Sequence, residues 1–324
     1  MITVAKLRRK PRSFQAFTGL SVAEFDQILS HVTVAYEAAL HQQRNRSQRQ
    51  RALGAGRPFT LALPEKLLMA LMYLRLYVGQ NLLAYLFDLD QSNVCRELKE
   101  RLVPILSEIL PTPLTDAPLR TDDKKATEET PFSGKKRRRI NTLKELLEAH
   151  PEIEELLLDS TEQSLPQPVD KLKRKQCYSG KRQDHTVKTQ IVATRQVIVH
   201  VSGGLPGSLA DQSILGASGV MGQVPCRVKI RVDKGYEGTA KRYPDKSVVA
   251  PVKKPRGQVV TILERVYNYM LSTLRIYVEH HFARLKRFGI LREQYRGRFE
   301  DHENRFCLVC GLLNFRATGD FSLG

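Results

Sequence analysis

The stretch that decides the fold is residues 155–163, ELLLDSTEQ, an apolar run with an acid near its end. Three successive leucines predict a buried strand, and Asp159 follows them directly. A second stretch, CRVKIRVDKGYEG at residues 226–238, alternates apolar and polar residues and places Asp233 just after its last valine. Acids at the ends of buried strands lie at one edge of a sheet, where the sites of α/β proteins form. We therefore expect Asp159 and Asp233 at one edge of one sheet.

The segments around these two strands complete an α/β pattern. Two β-branched runs joined tightly predict an antiparallel hairpin, a Gly-rich segment opened by Pro206 predicts a helix, and apolar periodicity from Thr261 to about Phe288 predicts a longer helix. In chain order the segments are TLKELLEAHPEI, ELLLDSTEQ, HTVKTQIVAT, QVIVHVSGG, PGSLADQSILGASG, CRVKIRVDKGYEG, SVVAPV and the long helix. This order predicts an RNase H-like mixed sheet flanked by helices.

The N-terminal part of the chain predicts helices only, the first of which Ser21 caps. Residues 80–106 have the shape of a helix, a short turn and a second helix capped by Ser92. The first of these helices is predicted to pack through Leu82, Leu83, Leu86 and Phe87. The second presents four polar side chains suited to hydrogen bonds with DNA bases: Gln91, Asn93, Arg96 and Lys99. Any helical hairpin shows this pattern, so packing without DNA contact is the alternative.

The composition shifts between Pro111 and Ile140, where Pro, Thr and charged residues dominate and a run of five bases ends the segment. Such a composition is typical of a linker. The predicted organisation is therefore a helical DNA-binding region at 1–118, with the helix-turn-helix at about 64–110, a basic linker at 119–140 and an RNase H-like domain at 141–324.

The chain carries 52 lysines and arginines against 34 aspartates and glutamates, a net charge of +18, with 41% apolar residues. The apolar content excludes wholesale disorder, and the basic excess favours nucleic acid as the partner. No apolar run is long enough to span a membrane, the start lacks a secretory signal, and the five cysteines form no disulfide framework. We therefore expect a cytoplasmic, nucleoid-associated protein with no membrane partner.

A basic loop follows the first strand and emerges beside Asp159. A solvated loop is the ordinary interpretation, but so many bases beside carboxylates also favour contact with DNA phosphates. The bases of this loop are Lys171, Lys173, Arg174, Lys175, Lys181 and Arg182, and Lys188 continues the basic run.

A third carboxylate, Glu279, stands at the margin of the apolar stripe of the long helix, with Arg275 and Lys286 on either side. A helix packed on the sheet by that stripe is expected to bring Glu279 over the edge that carries Asp159 and Asp233. Three carboxylates together repel one another unless a cation is present, and two Mg²⁺ or Mn²⁺ ions fit such a ligand set. With 34 acids in the chain, such a set of three also arises by chance.

Five segments resemble, in this order and spacing, bacterial insertion-sequence transposases of the DDE (Asp-Asp-Glu) superfamily: LLLDSTEQ, YSGKRQDHTVKTQ, GGLPGSLADQSIL, VDKGYEG and RIYVEHHFARLK. The resemblance runs roughly from Phe14 to Phe315 and implies an N-terminal helix-turn-helix before an RNase H-like catalytic domain. It also implies the site residues. The catalytic and metal-binding acids are then Asp159, Asp233 and Glu279, supported by Arg275 and Lys286.

The chain departs from the family pattern at two places. The helix signature of the family usually has Tyr where this chain has Ser272, which puts an auxiliary contact to DNA in doubt. Relatives often carry His-Asp where this chain has Ala210 and Asp211, so Asp211 either assists the chemistry or only caps a helix.

The resemblance implies DNA transposition. Such an enzyme binds the terminal inverted repeats of its element, cuts at their ends with metal-activated water, and joins the freed 3′-hydroxyl to target DNA. The implied partners are double-stranded DNA, as element ends and target, and a second copy of the chain in a homodimer or higher oligomer. The alternatives are a metal-dependent endonuclease without strand transfer and a non-catalytic DNA-binding regulator.

Overall fold

A computed structural model describes residues 1–44, 61–116, 140–252 and 261–322 of the chain. Of the predicted basic linker at 119–140, all but Ile140 lies outside the described residues. Contacts divide the chain into two compact units. Unit 1 combines residues 1–112 with 284–295 and 304–322, and unit 2 combines 113–283 with 296–303. These limits differ from the predicted domains, because the C-terminal helix groups with the N-terminal helices.

Unit 1 is helical. Its elements are α1 (Val4–Arg8), α2 (Pro11–Thr18), α3 (Val22–Arg44), α4 (Leu63–Leu76), α5 (Gln80–Phe87), α6 (Gln91–Arg96), a π-helical turn (Glu97–Leu102) and α7 (Val103–Ile109). Two later elements, the short α14 (Gly289–Arg292) and most of the last helix, α15 (His302–Thr318), complete it. The α15 side chain of Asn314 donates to the carbonyl of Pro111 at 3.0 Å, which helps to fix that helix in unit 1. No helix in the described ranges is long and apolar enough to span a membrane.

Local signals explain where the N-terminal helices begin. Ser21 caps α3 as predicted: its hydroxyl accepts from the N–H of Glu24 at 3.2 Å, and the Glu24 carboxylate accepts from the N–H of Ser21 at 2.6 Å. Pro64 lies in the first turn of α4, where its missing N–H costs nothing.

The helix-turn-helix has the predicted order, with two corrections. Helix α6 begins after Asp90 rather than at a Ser92 cap, because the turn is closed by Asp88 in a left-handed conformation at the end of α5. Leu82 is 48% exposed, whereas Leu83 and Phe87 are buried. Fewer residues of α5 are therefore buried than the four that the sequence predicts.

Unit 2 is built on a mixed sheet. Its strands are β1 (Leu114–Thr115), β2 (Glu155–Ser164), β3 (Tyr178–Ser179), β4 (Asp184–Ala193), β5 (Ile198–Pro206), β6 (Lys229–Val232) and β7 (Ser247–Val249). Its helices are α8 (Leu143–Ala149), α9 (Lys171–Cys177), α10 (Asp211–Ser218), α11 (Val220–Gln223), α12 (Thr239–Arg242) and α13 (Ile262–Leu285), with 3₁₀ turns at Lys234–Tyr236 and Phe299–Asp301.

The strand order is β1-β5-β4-β2-β6-β7, with β3 paired to β4. The predicted hairpin β4–β5 is antiparallel, β2 pairs antiparallel with β4, and β6 and β7 join parallel to β2. Leaving out the two-residue β1 and β3, the strands in chain order run 3-2-1-4-5 across the sheet, with the second one reversed. This is the RNase H-like arrangement that the sequence predicts. One face of the sheet covers an apolar core with α8, α10 and α11, including Leu156, Leu158 and Ile230.

The long helix α13 differs from its prediction in packing. Its apolar stripe was expected to pack on the sheet, but Leu263, Val266 and Met270 are more than half exposed. The buried apolar residues near its C-terminal end are Val278 and Leu285. The helix also ends at Leu285, before the predicted Phe288.

Candidate active site

The register of β2 and β6 brings the two predicted aspartates to the same edge. These strands are parallel, and Leu158 pairs with Val232 as the last pair of the ladder. Asp159 directly follows Leu158, and Asp233 directly follows Val232. Neighbouring strands lie about 4.8 Å apart, so the two aspartates lie side by side just beyond this ladder, Asp159 within β2 and Asp233 after the end of β6.

Both aspartates line one cavity, which has a volume of about 160 Å³. Its floor is formed by Leu157, Arg231 and Val249, which the register places next to one another across three strands. Helix α13 covers this floor and contributes three residues to the lining: Asn268, Leu271 and Val278.

Asn268 holds α13 in place at this cavity. Its amide accepts from the N–H of Val252 at 2.8 Å and donates to the carbonyl of Val252 at 2.9 Å. A side-chain amide that satisfies both backbone groups of one residue replaces a strand partner. The segment after β7 is thereby tied to the helix that covers the aspartates.

Glu279 lies on α13 directly after the lining residue Val278, but it is exposed and does not line the cavity. Of its predicted neighbours, Arg275 belongs to the helix with a side chain outside the described residues, and Ser272 is in the same position. Lys286 is exposed one residue beyond the end of the helix. Asp159 and Asp233 are thus brought together, and Glu279 stands on the covering helix outside their cavity.

A buried ionic network lies next to the aspartates. Asp211, at the start of α10, accepts from the Ser160 hydroxyl at 2.7 Å and from the Lys188 ammonium at 3.2 Å. Lys188 also contacts Glu162 at 3.4 Å, and Glu162 accepts from the hydroxyl of Thr186 at 3.0 Å. Lys188 is only 7% exposed. The prediction that Lys188 extends the basic DNA-binding surface is therefore wrong, because two carboxylates hold it inside the protein.

This network gives Asp211 a structural role, which the sequence alone left open. Asp211 is joined to Ser160, the residue directly after Asp159, and so couples α10 to the strand that carries the first aspartate. The capping alternative is not what the structure shows, since α10 has Ala210 at its N-cap and no side-chain cap. The β-branched run HTVKTQIVAT placed Lys188 on a strand, but no local pattern indicated its partners.

Gly235, the first glycine of the VDKGYEG segment, lies against Asp211. A Cβ at Gly235 would lie 2.7 Å from the Asp211 carboxylate oxygen, which is closer than real Cβ contacts. The next residue, Tyr236, is buried, and its hydroxyl donates to Gln190 at 3.2 Å. Burial raises the pKa of Tyr236 well above its usual value, and the negative charges of Asp211, Asp159 and Asp233 raise it further. The phenol therefore stays protonated in a field of three carboxylates.

The aspartate pair is chemically suited to a divalent cation. Two carboxylates at the end of the β2–β6 ladder supply the hard oxygen ligands that Mg²⁺ and Mn²⁺ prefer. Across the described ranges, however, no three acidic, histidine or cysteine side chains are grouped closely enough to hold one metal ion. The pair Asp159 and Asp233 thus fits an oxygen-liganded ion, while the third ligand is not assembled with it.

The predicted DNA-contacting side chains are all at the surface. On the second helix of the helix-turn-helix, Gln91, Asn93, Arg96 and Lys99 are exposed. Gln91 donates to Gln80 at 3.1 Å, which links the starts of α5 and α6. The basic loop after β2 contains a short helix, α9, and the predicted bases there are also exposed: Lys171, Lys173, Arg174, Lys175, Lys181 and Arg182.

Comparison with known proteins shows the family to which parts of the chain are similar. Residues 158–314 match the family model described as DDE superfamily endonuclease, and residues 60–112 match the helix-turn-helix of DDE superfamily endonuclease. The first match begins one residue before Asp159 and includes Asp233 and Glu279. Over residues 60–112 and 158–314 the chain is thus similar to DDE superfamily endonucleases and to their helix-turn-helix.

A curated relative shows the same likeness. The chain is 37% identical over 175 residues to a protein of Microchaete diplosiphon described as a probable transposase for insertion sequence element IS702. The similarity spans 53% of this chain and 60% of the relative. Two solved structures, a pre-cleavage Mos1 transpososome and a Mos1 transposase paired-end complex with left transposon end, are 10% and 13% identical. They cover 85% of this chain and 86% of their own, at TM-scores of 0.20 and 0.19 that support no statement about the fold.

Proposed function

We propose that this chain is a DNA transposase that binds the terminal inverted repeats of its element and performs metal-dependent strand cleavage and strand transfer. One observation carries the proposal: Asp159 and Asp233 follow the last paired residues of neighbouring parallel strands and line one cavity inside a DDE superfamily domain. The surface bases of α9 and of the helix-turn-helix support DNA as the substrate.

The proposed ion ligands are Asp159 and Asp233, with Glu279 as the third acid and Arg275 and Lys286 as supporting residues. Two Mg²⁺ or Mn²⁺ ions bound there would activate a water or a 3′-hydroxyl and stabilise the departing oxygen of an in-line displacement. The chain itself holds the two aspartates on rigid strands, keeps Tyr236 protonated beside them, and fixes Ser160 against Asp211. We propose that these positions orient the carboxylates towards the scissile phosphate.

Substitution of one aspartate tests the chemistry. Asp233→Asn removes one negative ligand while preserving the size of the side chain, so Mg²⁺-dependent cleavage of an element-end duplex should fall to background. DNA binding should stay nearly unchanged, because the bases that attract DNA are retained. The measurement is cleavage with and without Mg²⁺, together with equilibrium binding to the same duplex.

The matched control is Asp245→Asn, which changes the same charge at an exposed aspartate paired with its neighbour Lys246. This variant should cleave like the wild type. Cleavage by Asp233→Asn at the wild-type rate would remove Asp233 from the mechanism.

The alternatives differ in their products. A metal-dependent endonuclease gives cut ends but no joined products, and a DNA-binding regulator gives neither. Strand transfer is therefore tested by incubating the protein with pre-cut element ends and a supercoiled target, and by scoring joined molecules. Because two element ends must meet, we propose a homodimer or higher oligomer, acting on DNA in the nucleoid.

A further inference from the structure

Unit 1 contains a second cavity, of about 320 Å³, and half of its lining residues are arginines. The side chains come from α2, α4, the end of α13, the segment that follows it, and α15. The basic residues of the lining are Arg12, Arg75, Arg284, Arg287 and Arg316, and no acidic residue from the described part of the chain lines the cavity. Residues far apart in sequence thus bring five guanidinium groups to one place.

The frame of this cavity is closely packed. Arg75 lies over the ring of Phe288 at 5.2 Å, and its Nε donates to the carbonyl of Ala16 at 3.4 Å. A Cβ at Gly289 would lie 2.9 Å from the backbone oxygen of Leu76, so the segment that carries Arg287 and Phe288 lies directly on the end of α4. The segments that carry Arg75 and Arg287 are therefore packed against each other.

The positive charges of the cavity are poorly compensated. Arg316 pairs with Glu24 at 3.1 Å, and within the part of the chain that the structure describes this is the only ion pair shown for any of the five. Burial lowers the pKa of Arg75, and the charges of Arg287 and Arg316 lower it further. Like charges gathered without counter-charges cost free energy, which an anion in the cavity recovers.

We propose that this arginine cavity binds a backbone phosphate of the DNA that the transposase holds. Arginine forks match phosphate oxygens in bidentate pairs, and the cavity is large enough to admit a phosphate group. The site rests on the proposed function, since it needs DNA as the ligand. It adds a phosphate contact in unit 1 that lies outside both the recognition face of α6 and the basic loop of unit 2.

The test is the salt dependence of binding to a labelled DNA duplex by the full chain. In the double variant Arg12→Gln/Arg287→Gln, two exposed members of the cavity lose their charge. Each phosphate contact contributes about −0.9 to the slope of log K against log salt. Loss of one contact should therefore reduce the magnitude of the slope by roughly one. The loss of affinity relative to the wild type should then be about eightfold greater at 0.1 M salt than at 1 M salt.

Two further variants make the result specific. Arg12→Lys/Arg287→Lys keeps the charges and should retain the slope, while losing affinity because the bidentate geometry is gone. The control Lys144→Gln/Arg195→Gln removes two charges that already pair with Glu148 and Glu155, and it should bind like the wild type. Melting temperatures of all variants show whether they are folded.

The outcomes separate the site from the function. If the wild type binds DNA and the Gln double variant has an unchanged slope of log K against log salt, the cavity is not a DNA-phosphate site. The proposed function is unaffected by that result. A wild type without salt-dependent DNA binding overturns the proposed function and the site with it. If inorganic phosphate raises the melting temperature of the wild type but not of the Gln variant, while the DNA slope is unchanged, the cavity binds a free anion and the DNA assignment is wrong.

Discussion

At the residue scale, the side chains of the segment DSTEQ, residues 159–163, have two roles. Asp159 faces the cavity of the proposed active site, while the residues that follow it hold the strand in position. Ser160 bonds to Asp211, Glu162 contacts Lys188, and Gln163 is bonded to His302 at 2.9 Å. Burial lowers the pKa of His302 to about 4, so this histidine is neutral near pH 7.

Lys188 is the residue whose removal tests that network. Lys188→Met leaves Glu162 and Asp211 with an uncompensated negative charge in a buried place, and should lower the free energy of unfolding by about 3 kcal/mol. The measurement is urea unfolding at pH 7. Lys144→Met makes the same change at an exposed pair with Glu148 and should be nearly neutral. Equal stability of the two variants would mean that the network contributes nothing.

At the element scale, the π-helical turn between α6 and α7 is anchored by a buried carboxylate. Glu97 accepts from the Tyr36 hydroxyl of α3 at 2.5 Å and lies 3.0 Å from the Lys66 ammonium of α4. Arg101, one turn further along, contacts its other oxygen at 2.5 Å. Burial alone raises the pKa of Glu97, but the hydrogen bonds from Tyr36, Lys66 and Arg101 together outweigh it and lower the pKa. Three elements of unit 1 therefore depend on one ionised side chain.

This network predicts a dependence of stability on pH. A carboxylate with a lowered pKa stabilises the folded state above its unfolded pKa of about 4.3, and this contribution is lost as the pH falls through the folded value. Glu97→Gln should therefore destabilise the protein at pH 7 and differ progressively less from the wild type below about pH 4. The measurement is the urea midpoint across this pH range.

The control for that experiment is Glu100→Gln, at an exposed position three residues along the same turn. It should follow the wild type at every pH. A pH-independent difference between Glu97→Gln and the wild type would show that the lost hydrogen bonds, and not the charge, account for the effect.

At the scale of the whole molecule, the net charge of +18 makes DNA binding dependent on salt. The exposed bases of α9 are one source of this dependence. Lys173→Gln/Lys175→Gln should reduce the magnitude of the log–log salt slope by roughly two, as expected for two lost phosphate contacts. Lys144→Gln/Arg195→Gln, with the same change in net charge, should leave the slope as it is. Equal slopes for the two variants would mean that only the net charge matters.

Much of the fold followed from the sequence, because its signals are local. Apolar runs and alternation gave the strands and the hairpin, and the capping pattern at Ser21 gave the start of α3. Asp233 follows the end of β6 as predicted, whereas Asp159 lies within β2, which continues to Ser164. The two are neighbours because β2 and β6 pair in parallel up to Leu158 and Val232. The surface positions of Gln91 and Asn93 followed from helical periodicity.

Contacts between distant segments were decided only by the tertiary structure. The burial of Lys188 depends on Asp211, 23 residues away, and the cavity of five arginines forms because residues beyond 283 return to the N-terminal helices. Part of the apolar stripe of α13 is exposed for the same reason. Periodicity fixes which residues share a face of the helix, but it does not fix which neighbouring element covers that face. Local patterns are set by the backbone within a few residues, whereas charge pairing and burial depend on elements that only the folded chain brings together.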